Sequence, residues 1–313
     1  LYRQVLHIRD KALGPTHPDT LDSVNKLAGI LDLLKKFEEA EEVYERAVET
    51  AEKTLGPEHP DTLRSIALLA MVLYHRGEVA KAEKMIRCAL EGREKALGPE
   101  HPDTLTNSQN LAFVLRELGE NEEAEKLYRR IIEHKEKALG LDHEDTLRYV
   151  YNLGNVLHDL EKYEEGEKMF RGIVEVLEKT LGPEHPETLT AISNVGSMLQ
   201  SRGNDAEAEK IYRRLLEASE KTFGPDAIET IRAANAVAVA LFFQDKRYGD
   251  AEELYRRSLD AREKTLGFGH RSTYTTLCRL GALHEEQGQF LEAEQYYQQA
   301  VDRIGTTLGE DHP

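Results

Sequence analysis

The sequence of 313 residues lacks tryptophan, has only two cysteines, and contains fewer basic than acidic residues. Cys88 and Cys278 lie far apart, so we expect two buried thiols rather than a disulfide, and an intracellular, cytoplasmic setting. The net charge of −17 argues against nucleic acid or an anionic membrane as the main partner, because both attract a basic face. No stretch approaches the roughly 18 apolar residues of a membrane-spanning helix, and no signal peptide is visible.

What the chain does contain is one phrase repeated along its length, Leu-Gly-Pro-Glu-His-Pro-Asp-Thr-Leu, with close variants. The steps between copies are 42 residues, apart from one step of 43. A fixed period of this size indicates a solenoid, in which each repeat packs against its neighbours. We therefore expect a single elongated domain over residues 1–313. The glycine of the phrase stands at Gly14, Gly56, Gly98, Gly140, Gly182, Gly224, Gly267 and Gly309.

Each repeat is predicted to form two antiparallel helices, which we call helix A and helix B. In the repeat that starts near residue 57, Pro60 and Asp61 suit the start of helix A, and Gly77 ends it. Helix B then runs from about residue 79 to 97, and Gly98 with the following proline stops it. A partial leading helix B occupies 1–14 and a C-terminal loop occupies 309–313. The other repeats start near residues 15, 99, 141, 183, 225 and 268.

Small and large residues recur in strict register. Helix A carries alanine or glycine at position 28 and its equivalents, and helix B carries alanine or glycine at position 40 and its equivalents. Small residues let two helix axes approach, and a large residue fills the next gap. The register therefore favours a packed core over a cofactor site. The large residues of helix B are Tyr44, Ile86, Tyr128, Phe170, Tyr212, Tyr255 and Tyr297.

These positions resemble the tetratricopeptide repeat, whose pattern appears here as Leu27-Ala28, Ala40, Tyr44 and Ala47. Helix B is longer than in the common form, and the Gly-Pro-x-His-Pro loop is similar to the repeats of kinesin light chains. The phrase at 89–105 also resembles the C-terminal arrays of fungal and bacterial NLR-like (STAND) proteins. The resemblance implies an all-α, right-handed superhelical solenoid of antiparallel helix pairs.

Seven histidines occupy the repeated loop and invite a comparison with metal sites. Zinc needs three or four ligands converging on one point, whereas one histidine per repeat cannot converge. We therefore predict loop or capping contacts and no metal. The histidines are His17, His59, His101, His143, His185, His270 and His312.

Signatures of catalysis are absent from the sequence. We find no Gly-x-x-x-x-Gly-Lys-Ser/Thr loop, no His-Glu-x-x-His and no Gly-x-Ser-x-Gly. Glu122-Glu123 open a helix B that later carries Arg129-Arg130, and this order of charges complements the helix dipole. The sequence therefore predicts neither an enzyme nor a cofactor.

The resemblance places helix A on the concave face of the array, so its variable side chains form a candidate peptide groove. Four arginines on this face outnumber Glu117 and Asp159, which makes the groove mildly basic within an acidic chain. In the family, the place of the repeated asparagines often hydrogen-bonds a peptide backbone. Arginine beside tyrosine and asparagine suits an extended peptide with acidic and aromatic side chains, although an ordinary solvated helix face has the same composition. The candidates are Arg64, Tyr74, Asn110, Phe113, Arg116, Arg148, Tyr151, Asn152, Asn155, Asn194, Arg232 and Asn235.

The predicted function is a non-catalytic scaffold that binds a peptide or partner protein. By resemblance, it is the recognition or regulatory array of a larger NLR-like sensor. One alternative is a cargo adaptor of the kinesin light chain kind, and another is a regulatory array attached to or acting on an enzyme. Both ends of the chain fall inside repeats, so we expect a longer parent protein and allow self-association through the array ends.

Overall fold

A computed structural model describes residues 2–244 and 247–308, with side chains as far as residue 304. The described residues form fifteen α-helices joined by short turns, which confirms the all-α prediction. They belong to two compact halves, an N-terminal half at Leu1–Leu160 and a C-terminal half at Glu161–Pro313. The predicted loop at 309–313, with Gly309 and His312, lies outside the described residues. So do Asp245 and Lys246, in the turn that carries the one-residue insertion.

The helices alternate between the two predicted kinds. Helix B comes first as α1 and recurs at every odd number, and the even-numbered helices are helix A. The bounds predicted for the repeat near residue 57 are confirmed by α4 and α5. The helices are α1 Tyr2–Leu13, α2 Pro18–Leu33, α3 Phe37–Leu55, α4 Pro60–His75, α5 Val79–Leu97, α6 Pro102–Glu117, α7 Asn121–Leu139, α8 Glu144–Asp159, α9 Tyr163–Thr180, α10 Pro186–Ser201, α11 Asp205–Phe223, α12 Ile228–Phe243, α13 Tyr248–Leu266, α14 Arg271–Glu286 and α15 Phe290–Leu308.

The repeated phrase stops one helix and starts the next. Gly56 ends α3 with a φ of 96°, a left-handed conformation that favours glycine. Pro60 stands in the first turn of α4, where its missing N–H costs nothing. Nδ1 of His59 accepts a hydrogen bond from the backbone N–H of Asp61 at 3.2 Å, which satisfies one exposed donor of the helix. The predicted capping role is also observed at His17, His101, His143, His185 and His270.

One repeat lacks this histidine. Helix α12 still begins at Ile228, but Ala227 occupies the N-cap and supplies no side-chain hydrogen bond. The loop before it keeps Gly224 at positive φ, and Oγ1 of Thr230 donates to the backbone oxygen of Gly224 at 2.7 Å, as Thr62 does to Gly56 in its repeat. Within residues 2–244 and 247–308, no group of three or more His, Cys, Asp or Glu side chains is placed to hold a metal ion.

The contact between helices A and B of one repeat is close enough to require a small residue. A Cβ atom added at Gly196 of α10 would lie 2.3 Å from Cε1 of Tyr212 in α11. At Gly281 of α14 the same addition would lie 2.6 Å from Cε1 of Tyr297. The predicted small-and-large register is thus the core of the repeat, since Tyr212 itself is 4% exposed.

Buried arginines form a second layer of contacts that the sequence pattern did not reveal. Arg93 of α5 is 2% exposed, and its guanidinium donates to the backbone oxygen of Asp103 at 2.8 Å and to Oδ1 of Asn107 at 3.3 Å. Arg262 of α13 makes the equivalent bonds to Ser272 and Thr276, and burial lowers its pKa to about 10. These arginines fasten a helix B to the start of the following helix A.

The cysteine prediction is wrong in part. Cys88 is an exposed free thiol and Cys278 is a half-buried one. Cys88 is exposed because it stands on the face of helix B where other repeats place Arg46 and Arg130. Among the helices described above, none is long and apolar enough to cross a membrane.

The close contact at Gly196 predicts opposite effects for two glycine-to-alanine changes. We expect Gly196→Ala to lower the free energy of unfolding by about 1–2 kcal/mol, because overpacking against Tyr212 outweighs the gain in helix propensity. Gly172→Ala is the matched control, since a Cβ there meets nothing within 4 Å, and it should raise stability by about 0.5–1 kcal/mol. Urea denaturation followed by circular dichroism measures both, and a stabilised Gly196→Ala variant would contradict the close contact.

The histidine cap predicts a second pair of changes. His59→Ala removes the acceptor for the N–H of Asp61 and should cost about 1 kcal/mol. Ala227→Asn supplies an acceptor at the one equivalent in residues 2–244 and 247–308 that lacks a side-chain cap, and it should gain a similar amount. Amide hydrogen exchange at the first turns of α4 and α12 measures the two effects. Equal exchange in His59→Ala and in the unaltered chain would show that the cap contributes nothing.

Candidate functional site

The candidate groove residues of the N-terminal half lie on the outer faces of α4, α6 and α8. Four of these side chains are exposed and the others are half-buried, so the face is accessible. The N-terminal residues of these three helices are fixed by the histidine caps, and the small residue of each is buried against helix B. The exposed face of each of these helices therefore has a fixed orientation relative to its helix B. The exposed candidates are Arg64, Phe113, Arg148 and Asn155, and the half-buried ones are Tyr74, Asn110, Arg116, Tyr151 and Asn152.

An aromatic cluster joins neighbouring repeats on this face. The rings of Tyr74 and Phe113 meet edge to face with centroids 5.1 Å apart, although they belong to α4 and α6. His75 extends the cluster, with its ring centroid 5.4 Å from that of Tyr74 and 6.4 Å from that of Phe37. Burial, assisted by the charge of Glu117, raises the pKa of Tyr74, so its phenol stays protonated. Phe113 remains 38% exposed, which leaves one aromatic edge open to a ligand.

Polar side-chain contacts cross from one helix A to the next at their C-terminal ends. Nε of Arg116 in α6 donates to Oδ2 of Asp159 in α8 at 2.9 Å. Nδ1 of His75 in α4 lies 2.8 Å from Oδ1 of Asp32 in α2. Both side chains of the Arg116–Asp159 pair are about a third exposed, so a ligand can reach either of them.

Arg148 is also engaged within the protein. Its Nη2 lies 3.5 Å from Oδ1 of Asp145 and donates to the hydroxyl of Tyr149 at 3.1 Å. That hydroxyl in turn donates to Oε1 of Gln109 in α6 at 2.7 Å. The guanidinium therefore has a fixed position, but its charge is partly balanced by a neighbour that the sequence analysis did not count. The basic character predicted for the groove is correspondingly reduced.

The three repeated asparagines are all half-buried. The amide of Asn194 donates to the backbone oxygen of Thr190 at 3.0 Å, so its own helix engages it. Among the described residues, neither Asn110 nor Asn152 takes part in a side-chain hydrogen bond. These two amides can therefore offer both a donor and an acceptor to an extended backbone.

The C-terminal half presents a different surface. Arg232 of α12 is exposed as predicted. Asn235 is not part of the accessible face, and its prediction is wrong. It is 4% exposed, and its amide donates to the backbone oxygen of Ile231 at 2.7 Å. Phe243 of the same helix is 65% exposed and packs edge to face on Phe242, with ring centroids 5.1 Å apart.

Family comparison gives the class of the protein. Tetratricopeptide repeat models match residues 65–137, 145–204 and 187–264, and also residues 20–61 and 273–313. The chain therefore belongs to the tetratricopeptide repeat family. No curated protein matches it.

Comparison with solved structures indicates which kind of tetratricopeptide repeat the chain contains. The chain is similar to the nearly identical TPR-like repeats assigned to a kinesin light chain of Podosopora anserina, with 27% identity and a TM-score of 0.63. That match covers 66% of this chain and 99% of the other. The apo form of RapI matches at 15% identity and a TM-score of 0.64, covering 99% of this chain and 81% of the other. A repeat protein of Parabacteroides merdae matches at 18% identity and a TM-score of 0.58, covering 92% and 94%. The last two likenesses concern the fold alone.

Proposed function

We propose that the protein is a non-catalytic scaffold that binds an extended segment of a partner protein along the helix A face of its N-terminal half. The observation that carries the proposal is the row of side chains linking α2, α4, α6 and α8. Tyr74 and Phe113 offer an aromatic surface, Arg116 carries a guanidinium on the same helix as Phe113, and Arg148 carries one on the next helix A. Asn110 and Asn152 lie on the same face with amides that no described residue engages.

The chemistry of this face favours a segment with acidic and aromatic side chains. An aromatic side chain can pack on the open edge of Phe113, and a carboxylate can accept from Arg116 in place of Asp159. Because Asp159 already neutralises Arg116, the preference for acid depends on that exchange rather than on a surplus of positive charge.

The wider role follows from the kind of repeat. We infer that the array is the recognition or regulatory part of a larger NLR-like sensor, which a nucleotide-binding domain in the same polypeptide would support. The likeness to repeats of kinesin light chain type favours a second role as a cargo adaptor. A coiled coil in the same polypeptide would support that role instead. The third role is that of a regulatory array attached to or acting on an enzyme. The proposed peptide groove is compatible with that role as well.

Charge reversal tests the groove. We expect Arg116→Glu combined with Arg148→Glu to weaken the binding of a synthetic acidic peptide containing tyrosine by about tenfold or more. The reason is that the two reversals replace attraction of the peptide's carboxylates by repulsion, and a tenfold loss corresponds to about 1.4 kcal/mol. The measurement is a fluorescence anisotropy titration with the labelled peptide at low salt. The matched control is Lys53→Glu combined with Lys95→Glu, which changes the charge equally on helix B, where the Lys53 side chain is 77% exposed.

The two double variants give distinct outcomes. Weaker binding only in the arginine variant supports the groove, and equal weakening in both reports a general effect of net charge. Unchanged affinity in the arginine variant would overturn the assignment of the site. Thermal unfolding monitors folding, and surface pairs of this kind contribute about 0–1 kcal/mol, so both variants should fold.

Removal of the competing carboxylate tests the exchange at Arg116. Asp159→Asn leaves the guanidinium without its carboxylate partner, so we expect the same acidic peptide to bind several-fold more tightly. A peptide with serine in place of its acidic residues is the control and should show no gain. The same gain for both peptides would mean that Asp159 does not act by competing with the peptide's carboxylates for Arg116.

A further inference from the structure

Three arginines on α12, α13 and α14 form no ion pair with any described carboxylate. Arg262 of α13 is 8% exposed, and Nη1 of its guanidinium donates to the backbone oxygen of Ser272 at 2.8 Å and to Oγ1 of Thr276 at 2.6 Å. Its Nε is buried and has no hydrogen-bond partner among the described residues. The other two, Arg232 of α12 and Arg279 of α14, are exposed. We call Arg232, Arg262 and Arg279 the arginine cluster.

The members of the arginine cluster are close enough to act on one another. Burial lowers the pKa of Arg262 to about 10, and the positive charges of Arg279 and Arg232 add to that effect. The hydrogen bond to Thr276 places the Arg262 guanidinium against α14, where Arg279 follows within one helical turn, about 4.5 Å along the axis. Positive charge from three helices of the C-terminal half is therefore concentrated in one place.

Arg93 is the residue of α5 equivalent to Arg262, and acidic residues balance its surroundings. Burial lowers the pKa of Arg93, and the carboxylate of Asp103 limits the lowering. The charge of Arg64, which is equivalent to Arg232, adds to the lowering, and the carboxylate of Asp61 opposes it. The arginine neighbour of Arg93 is thus accompanied by two acidic neighbours.

Two substitutions remove this balance around Arg262. Ser272 stands where the repeat of Arg93 has Asp103, and Arg279 stands where it has Asn110. The first turn of α14 contains no acidic residue, and no carboxylate of the described residues is among the charges that act on Arg262. Burial of a charge is costly unless an opposite charge accompanies it. The arginine cluster therefore lacks an anion that the equivalent place in the N-terminal half possesses.

We propose that the arginine cluster binds the phosphate group of a phosphorylated serine or threonine in a partner polypeptide. The exposed Arg232 and Arg279 donate to the phosphate oxygens, and Arg262 adds its charge from the buried side. A phosphate monoester carries about −1.5 to −2 charges and three acceptor oxygens, so it balances three guanidinium groups better than one carboxylate does. The net charge of −17 disfavours the extended polyanion of a nucleic acid or an anionic membrane as the source of the phosphate. This site lies wholly in the C-terminal half and does not use the peptide groove proposed above.

Fluorescence anisotropy titrations with three labelled peptides test the site. The peptides carry phosphoserine, serine or glutamate at one position among the same neutral residues. We expect the phosphoserine peptide to bind about tenfold more tightly than either of the others. Arg279→Gln removes one exposed guanidinium and should weaken that peptide by about tenfold. Lys264→Gln is the matched control, because it removes an exposed positive charge from α13 about 200° around the helix from Arg262 and should change nothing.

Restoring the missing carboxylate gives a second test. Ser272→Asp recreates the arrangement of the other repeat, in which Arg93 donates to the backbone oxygen of Asp103 at 2.8 Å. The arginine cluster then has an acid of its own, so the phosphoserine peptide should bind several-fold more weakly. An acidic residue in the first turn of a helix is stabilising, so this variant should fold, and thermal unfolding monitors it.

Equal binding of the phosphoserine peptide and either of the other two would overturn the proposal. Equal losses in Arg279→Gln and Lys264→Gln, or unchanged affinity in Ser272→Asp, would also contradict it. Inorganic phosphate that binds as tightly as the phosphoserine peptide would show that the site holds free phosphate and not a segment of a partner. The groove variant Arg116→Glu with Arg148→Glu should bind the phosphoserine peptide as the unaltered chain does. Failure of this site and failure of the N-terminal groove are therefore separate results.

Discussion

The close approach of helix A to helix B within a repeat is the contact on which the other features depend. Gly196 lies so near the ring of Tyr212 that a single methyl group does not fit between them. A contact of this kind fixes the rotation of α10 about its own axis, because Gly196 has to face the ring of Tyr212. One face of helix A is then committed to the core. The opposite face is left free for variable side chains, and the candidate site lies there.

The loop between repeats sets the ends of both helices, so the close contact between helix A and helix B recurs along the chain. A glycine with positive φ ends helix B, and a proline with a histidine cap begins helix A, so both ends are set by local chemistry. Local chemistry is what a sequence displays directly. The helix bounds around residue 57 could therefore be predicted, as could the capping role of the histidines. Helix α12 begins at the expected place even with Ala227 at its N-cap, so the histidine cap is not required for that boundary.

The residues of the candidate site could be predicted only to the extent that the helical period determines which side chains of helix A are exposed. Arg232 and Asn235 of α12 lie three residues apart, which is only about 60° around the helix, so the helical period alone does not separate the exposed Arg232 from the buried Asn235. The pairs Arg116–Asp159 and His75–Asp32 each join residues 43 positions apart, one more than the repeat. That offset comes from the stagger of neighbouring helices, which no single repeat encodes. The buried Arg93 escaped prediction for a related reason, since its partners lie in the following loop and helix A.

The internal pairing of the groove arginines decides what kind of ligand discrimination the face can achieve. An acidic ligand at Arg116 replaces one carboxylate by another, so the exchange yields little net free energy in exposed surroundings. The charges then set orientation and the rate of encounter, as charges at the rim of an interface generally do. Affinity has to come from surface that is removed from water, and on this face that surface is Tyr74 with the open edge of Phe113. The position of an aromatic residue in the ligand, more than its net charge, should therefore govern recognition.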